Sequence, residues 1–149
     1  MLKSFLVTSV LMFFIIGCQQ TNGAALPGSN QLDQVKEIQM SKFEELGSLN
    51  EDYRETFADQ SQLEVFQKAL TNAKRENESI KKYDYDIKLN FKNGENKALH
   101  MAKNKKDELI LKYIGDSNAT YVVSTDKSKD LIKLIYWNRN VYHIQNKFT

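Results

Sequence analysis

A strictly alternating stretch in the middle of the chain constrains the fold more than any other feature. Residues 83–91 read YDYDIKLNF, so apolar or aromatic residues occupy every second position and polar residues occupy the positions between them. Successive side chains of a β-strand point to opposite faces, and this pattern therefore predicts a strand with one buried face. The rest of the chain has to supply a sheet and a core that cover this face.

The Asn93-Gly94 pair that follows predicts a hairpin, and the side-chain pattern selects its loop length. A two-residue loop would place Leu99 on the polar face, because a one-residue slip turns every side chain of a strand over. A three-residue loop over residues 92–94, with Gly94 in the left-handed conformation, pairs Ile87 with Leu99 instead. We therefore predict the three-residue loop.

The same register places Asp86 opposite His100, on the face that we expect to be exposed to solvent. A carboxylate across a strand pair favours the protonated imidazole, so this contribution to stability is expected at low pH and lost as the pH rises. For two exposed groups it should be weak, about 0 to 1 kcal/mol. We interpret Asp86 and His100 as an incidental surface pair, with a weak pH-sensitive contact at the cell surface as the alternative.

Five further segments follow from periodicity and turn residues. Residues 35–43 predict a strand and residues 44–58 a connecting loop. Residues 61–76 predict a long helix, because apolar residues recur there at spacings of three and four. Residues 108–125 predict a second hairpin, whose register the sequence leaves open, and residues 126–135 predict a short helix.

The helix ends offer more than one cap. Ser61 with Glu64 matches a capping box at the start of the long helix, and Asp59 with Gln62 is the alternative two residues earlier. The short helix has candidate caps at residues 126 and 128. The predicted order β-α-β-β-β-β-α is that of an α+β domain, with a small antiparallel sheet and one long helix packed on one face.

The N-terminus carries an export signal that ends at the single cysteine of the chain. Lys3 precedes an apolar run over residues 5–16, and polar residues follow too early for a helix that spans a bilayer. The run ends in IIGC, which resembles the lipobox of bacterial lipoproteins. That resemblance implies a diacylglyceryl group on the Cys18 sulfur and cleavage between Gly17 and Cys18, with two acyl chains anchoring the protein to the outside of the cell membrane.

Four segments result from this interpretation. Residues 1–17 are the signal peptide, and residues 18–34 are the lipidated N-terminus with a flexible tether, since glycine, proline and amides dominate there. Residues 35–137 form a single compact domain. Residues 138–149 are a tail or a last strand.

Composition and motifs argue against several classes of function. The 21 basic and 19 acidic residues nearly balance, which argues against a nucleic acid as partner. The sequence has no catalytic signature and only two histidines, so we expect neither a metal site nor a cofactor nor catalytic residues. Carboxylate pairs, among them Asp84 with Asp86, are interpreted as solvated charges, with a weak cation site or a glycosidase-like pair as alternatives.

Three segments together with the lipobox carry a family resemblance. The strands YDYDI and ATYVVS and the run KSKDL, at residues 83–87, 119–124 and 127–131, resemble the YhfM-like domain of small bacterial lipoproteins over residues 38–135. The resemblance implies a membrane-tethered extracytoplasmic domain without an assigned reaction. It transfers no site residue except Cys18.

Three functions remain for such a protein. The first is a monomeric, non-enzymatic lipoprotein that binds an unidentified envelope protein or polymer, which an exposed aromatic patch would support. The second is protection of the cell against a toxin or hydrolase, which a protruding loop at residues 44–52 would support. The third is a carboxylate-based hydrolase, which needs two inward-facing carboxylates in a deep cleft.

Overall fold

The computed structural model describes residues 23–115 and 119–137. The predicted lipidation site Cys18, the cleavage position Gly17 and the tail at residues 138–149 lie outside the described residues. Nowhere in the described ranges is a helix both long enough and apolar enough to cross a bilayer. The elements in chain order are a 3-10 helix (Ser29–Gln34), β1 (Val35–Lys42), β2 (Glu55–Phe57), α1 (Gln60–Thr71), β3 (Lys74–Glu76), β4 (Tyr85–Phe91), β5 (Asn96–Lys103), β6 (Leu109–Tyr113), β7 (Thr120–Val123), α2 (Thr125–Ile132) and a π-helical turn (Lys133–Trp137).

All seven strands form one antiparallel sheet in the order β2-β1-β4-β5-β6-β7-β3. The inner side chains of α1 and α2 belong to one hydrophobic core with the inward residues of the sheet. We name the side of the sheet that carries this core the helix face and the other side the back face. The predicted α+β class is confirmed.

The β4–β5 hairpin has the predicted three-residue loop. Ile87 is paired with Leu99, and the Phe91 N–H donates to the Glu95 carbonyl at 2.9 Å, so residues 92–94 form the turn. Gly94 has φ 90°, in the left-handed region that residues with a Cβ atom avoid. The alternation of residues 83–91 therefore predicted the register of the central strand pair correctly.

The second predicted hairpin is confirmed, and its register is now defined. Leu109 is paired with Val123, and Leu111 with Tyr121, so these four side chains share the helix face. Because each of them belongs to the buried core, the same alternation that fixes β4 on β5 fixes β6 on β7.

The helix α1 is shorter than predicted and begins earlier. Its N-cap position is Asp59, so the alternative cap position is correct and the Ser61 capping box is wrong. The helix ends at Thr71, and residues 74–76 form β3, which pairs with β7. Ala73 is fully buried directly before β3, at the point where the chain leaves the helix for the sheet edge.

Two three-residue edge strands were not predicted. β2 lies within the expected connecting loop, and β3 lies within the expected helix. Both are too short to show a periodic pattern, and backbone pairing with a longer neighbour holds each of them. The short closing helix is present, but its N-cap is Ser124 and not residue 126 or 128.

Residues 23–34 belong to the folded domain, so the prediction of a flexible tether is wrong for them. Leu26 and Leu32 are 1% and 6% exposed and join the core. Ala25 forms a β-bridge with Lys74, and the Tyr113 hydroxyl donates to the Pro27 carbonyl. Glycine, proline and amide residues are typical of linkers, but two leucines are enough to attach this segment by burial.

Candidate functional site

A fully buried aspartate–histidine pair lies on the back face at the centre of the sheet. Asp86 on β4 and His100 on β5 are paired in the ladder as predicted, and the imidazole Nδ1–H donates to the Asp86 Oδ1 at 2.7 Å. Both side chains are 0% exposed, so the expectation of a solvent-exposed surface pair is wrong. A face of a sheet is exposed only where nothing packs over it, and here a loop covers the back face.

We name residues 43–54, between β1 and β2, the covering loop. Its Gly47 N–H donates to the His100 Nε2 at 3.1 Å, and its Asn50 N–H donates to the Asp86 Oδ2 at 2.9 Å. The Phe43 ring at the start of the loop meets the imidazole edge to face, with ring centroids 5.1 Å apart. The loop therefore replaces water over both members of the pair.

The segment before β4 places a second aromatic ring beside the imidazole. The Tyr83 ring lies 5.3 Å from the His100 ring and 5.7 Å from the Phe43 ring, so the three rings form one cluster. Burial raises the pKa of the Tyr83 phenol. Its hydroxyl is therefore uncharged near neutral pH, and it brings no further charge to the pair.

The hydrogen bonds define the protonation state of His100. A backbone N–H can only donate, so Nε2 must accept from Gly47 and carries no proton. Nδ1 then carries the proton and donates to the ionised Asp86 carboxylate. The imidazole is neutral in this arrangement, because the Gly47 N–H occupies the second nitrogen.

Ser41 is the third buried polar residue on this face, but it does not complete a catalytic triad. It is paired with Asp86 in the ladder, and its hydroxyl donates to the Asn50 carbonyl at 2.5 Å. In a Ser-His-Asp triad the histidine lies between the serine and the aspartate. Here the aspartate lies in the middle, and the serine and the aspartate both hold Asn50 of the covering loop.

Asn50 is the main anchor of the covering loop. Besides the contacts with Ser41 and Asp86, its side-chain amide donates to the Lys42 carbonyl at 2.9 Å and its Oδ1 accepts from the Asp52 N–H at 2.9 Å. Sequence reasoning missed Asn50 and Gly47 because the sheet binds their backbone N–H groups, which every residue except proline possesses. The Asn-x-Asp spacing was the only local signal, and it predicts a turn and not a contact.

Tyr53 lies near the end of the covering loop. Its hydroxyl oxygen is the one buried side-chain polar atom among the described residues that has no hydrogen-bond partner. The Lys88 ammonium lies over the ring, 5.8 Å from its centroid. Burial raises the pKa of the Tyr53 phenol, and the carboxylates of Glu51 and Asp86 raise it further. The Tyr53 hydroxyl thus lacks a hydrogen bond, whereas the N–H groups of Gly47 and Asn50 in the same loop each have an acceptor.

The tip of the covering loop leaves one large apolar side chain in solvent. Leu46 is 57% exposed, its neighbours Glu44 and Glu45 are exposed, and Gly47 follows at φ 84°. Because Gly47 is bound to the sheet, Leu46 is presented from a position that the sheet fixes. Trp137 is the other large apolar residue that is exposed within the described ranges, at 64%.

The carboxylates interpreted from the sequence as a solvated pair have separate roles. Asp84 is exposed, and its Oδ2 accepts from the Lys103 N–H at 2.9 Å and from the Tyr136 hydroxyl at 2.8 Å. Asp86 is buried and serves the covering loop, so the interpretation as a solvated charge is wrong for it. The described residues include no group of three or more side chains placed to hold a metal ion.

Comparison with known proteins gives the family. The family model described as YhfM protein matches residues 33–140, which is well over half of the chain. The chain belongs to the YhfM family. The matched range contains the covering loop, the buried pair and the whole sheet, so the site described above is part of the YhfM domain. No curated protein is similar enough to the chain to count as a relative.

A solved structure shares the fold. A thioesterase-like protein from Clostridium sporogenes superposes with a TM-score of 0.57 at 15% sequence identity, over 68% of this chain and 94% of that protein. At this identity the likeness shows a common fold and leaves the chemistry of the two proteins separate. The YhfM domain is thus an α+β sheet domain of a type that also occurs in a thioesterase-like protein.

Proposed function

We propose that this YhfM-family protein is a lipoprotein anchored through Cys18 on the extracytoplasmic side of the cell membrane, and that its domain binds a protein partner through the tip of the covering loop. The observation that carries the proposal is the attachment of Gly47 and Asn50 to the buried pair, which holds exposed Leu46 in a fixed position. A preorganised apolar residue loses little conformational entropy on binding.

The buried pair favours this role over catalysis. A general base needs a nitrogen that can reach a substrate proton, and the His100 Nε2 already accepts from Gly47. The Asp86 oxygens likewise accept from His100 and Asn50. The thioesterase-like neighbour makes ester hydrolysis the competing activity, and hydrolysis of a short acyl-thioester by the purified protein, lost in His100→Gln, would contradict a purely binding role.

Protection against a toxin or hydrolase is the second candidate. The same held loop with an exposed leucine favours it, because a preformed loop can enter the cleft of an enzyme with little change of shape. The two binding roles differ in the identity of the partner and not in the surface that this protein uses.

A photo-crosslinking amino acid at position 46, in intact cells, tests the surface. We expect it to capture a defined protein, and we expect the same amino acid at position 95, exposed in the β4–β5 hairpin at the other end of β4, to capture none. Equal capture at both positions, or none at position 46, would contradict the proposal. Capture of a secreted hydrolase or toxin would select protection over other binding roles.

Cys18→Ser tests the anchor independently. The serine hydroxyl cannot form the thioether, so we expect the protein to leave the membrane fraction and to lose labelling by a fatty acid. A membrane-bound, labelled Cys18→Ser protein would show that the anchor lies elsewhere. That result would leave the binding surface at Leu46 untouched.

A further inference from the structure

The covering loop is attached to the sheet by two hydrogen bonds that depend on different ionisations. Asn50 is bound to the carboxylate of Asp86, and Gly47 is bound to the unprotonated nitrogen of His100. Both loop groups are backbone N–H donors, so each requires an acceptor on the sheet. The first acceptor exists while the aspartate is ionised, and the second exists only while the histidine is neutral.

Protonation of His100 would replace the second acceptor with a donor. The new Nε2–H would then point at the Gly47 N–H from 3.1 Å, where two donors repel each other. The imidazolium would also be fully buried, which is costly without water or an additional acceptor. Moving residue 47 away relieves both problems, because Nε2–H then reaches solvent.

The charged groups around the imidazole differ less between the closed and the open loop than the contact with Gly47 does. Asp86 on β4 attracts the imidazolium whether the loop is closed or open, and Lys112 on β6, directly across the ladder from His100, repels it in both states. Tyr83 and Tyr53 are neutral, since burial raises the pKa of both phenols. The carboxylates of Glu44, Glu45 and Glu51 lie on the loop itself. The Gly47 N–H is therefore the contact that differs most between the two states of the ring.

We propose that the covering loop is a pH-sensitive element in which protonation of His100 releases the tip at Gly47 while Asn50 stays bound to Asp86. The open loop takes up a proton that the closed loop excludes. Acidification therefore raises the ratio of open to closed loop by up to tenfold for each pH unit. This inference goes beyond the proposed binding role and does not depend on it. If Leu46 does bind a partner, its position would change with pH.

Amide hydrogen exchange in the full-length protein in detergent micelles tests the proposal. After correction for intrinsic exchange, we expect the protection of the Gly47 amide to fall by up to tenfold per pH unit on acidification from pH 7 to pH 5. The backbone amides of Asn50 and Phe91 should keep their protection, because Asn50 stays bound to Asp86 and Phe91 is bonded within the β4–β5 hairpin. Joint loss at Gly47 and Asn50, or no loss at Gly47, would overturn the proposal.

Substitution of each histidine supplies the matched pair of variants. His100→Gln removes the titration, so the protection of Gly47 should no longer depend on pH, and His143→Gln, at the other histidine of the chain, should leave the wild-type dependence. A dependence that survives in His100→Gln would contradict the assignment to His100. If His100→Gln does not fold, the ¹⁵N spectrum of the wild-type imidazole decides, since the proposal requires the Nδ1–H tautomer at neutral pH and its conversion in step with the Gly47 change.

Discussion

Replacing Asp86 with asparagine should destabilise the domain because no arrangement of the amide satisfies the buried hydrogen bonds. The network begins and ends at backbone donors, the Asn50 N–H and the Gly47 N–H, and Asp86 accepts at both of its oxygens. In Asp86→Asn one acceptor becomes an NH₂ donor. If the amide oxygen faces His100, the NH₂ meets the Asn50 N–H.

The other orientation transfers the conflict and does not remove it. With the amide oxygen toward the Asn50 N–H, the NH₂ faces the Nδ1 of His100, which must then accept. The imidazole proton moves to Nε2 and meets the Gly47 N–H. Each orientation of residue 86 leaves one pair of donors facing each other in a site that is 0% exposed.

The cost follows from the bonds that are lost. A buried donor without an acceptor costs about 1 to 3 kcal/mol, and the bond that remains loses its charge assistance, roughly another 1 kcal/mol. We therefore expect Asp86→Asn to lower the free energy of unfolding by about 2 to 4 kcal/mol. Urea denaturation followed by circular dichroism measures it on the full-length protein in detergent.

Asp52→Asn, in the covering loop, is the control for the loss of a carboxylate. The Asp52 side chain is 69% exposed and pairs with Arg54, so its substitution should change the free energy of unfolding by less than about 0.5 kcal/mol. A value for Asp86→Asn within that same range would refute the hydrogen-bond network described here.

Four further substitutions test separate features, each against wild type in the same denaturation assay unless stated. Tyr53→Phe should be neutral or stabilise by up to about 1 kcal/mol, because it removes a buried hydroxyl that has no partner among the described residues; in wild type this phenol should ionise above pH 10.0 in an absorbance titration, since burial raises its pKa. Gly47→Ala should cost about 1 kcal/mol through backbone strain alone, since φ is 84° and no atom lies within 4 Å of the added Cβ. Leu70→Ala, at a fully buried position of α1, should cost about 2 to 5 kcal/mol. Leu46→Ser should leave stability within about 0.5 kcal/mol of wild type and weaken capture of the partner by pull-down.

The sequence predicts the central hairpin well because local chemistry determines it. Strict alternation over residues 83–91 gives the buried side of the strand, and the need to keep Leu99 on that side selects a loop of three residues. The contact between Asp86 and His100 follows from that register without any knowledge of the rest of the fold. A pairing that spans fourteen residues is thus predictable when one turn connects its two strands.

Burial of that same pair could not be predicted from the strands. It depends on where residues 43–54 lie, and the contacts that place them join the backbone of Gly47 and Asn50 to the sheet over separations of 53 and 36 residues. A hydrogen bond from a backbone N–H does not require a particular amino acid at that position, so the sequence does not reveal it. The tautomer of His100 could not be predicted for the same reason, since the Gly47 N–H decides which nitrogen of the ring carries the proton.

Attachment of residues 23–34 to the domain changes what the proposed lipid anchor implies. Between Cys18 and Gly23 the chain spans at most about 18 Å, so the anchored domain would lie close to the lipid headgroups. Gly23 donates a backbone hydrogen bond to Arg75 of β3, at one edge of the sheet, whereas the covering loop starts and ends near the opposite edge and its tip at Gly47 lies over β5, the central strand.

A short anchor at the β3 edge favours an orientation in which the β2 edge is the part of the sheet farthest from the membrane. The ends of the covering loop lie near that far edge and its tip lies over the central strand, so the tip would be open to a protein partner even though the domain is held near the membrane. We expect a photo-crosslinker at position 46 in the anchored protein to react with protein and not with lipid. Predominant reaction with lipid would instead place Leu46 at the headgroups and make the covering loop a membrane contact.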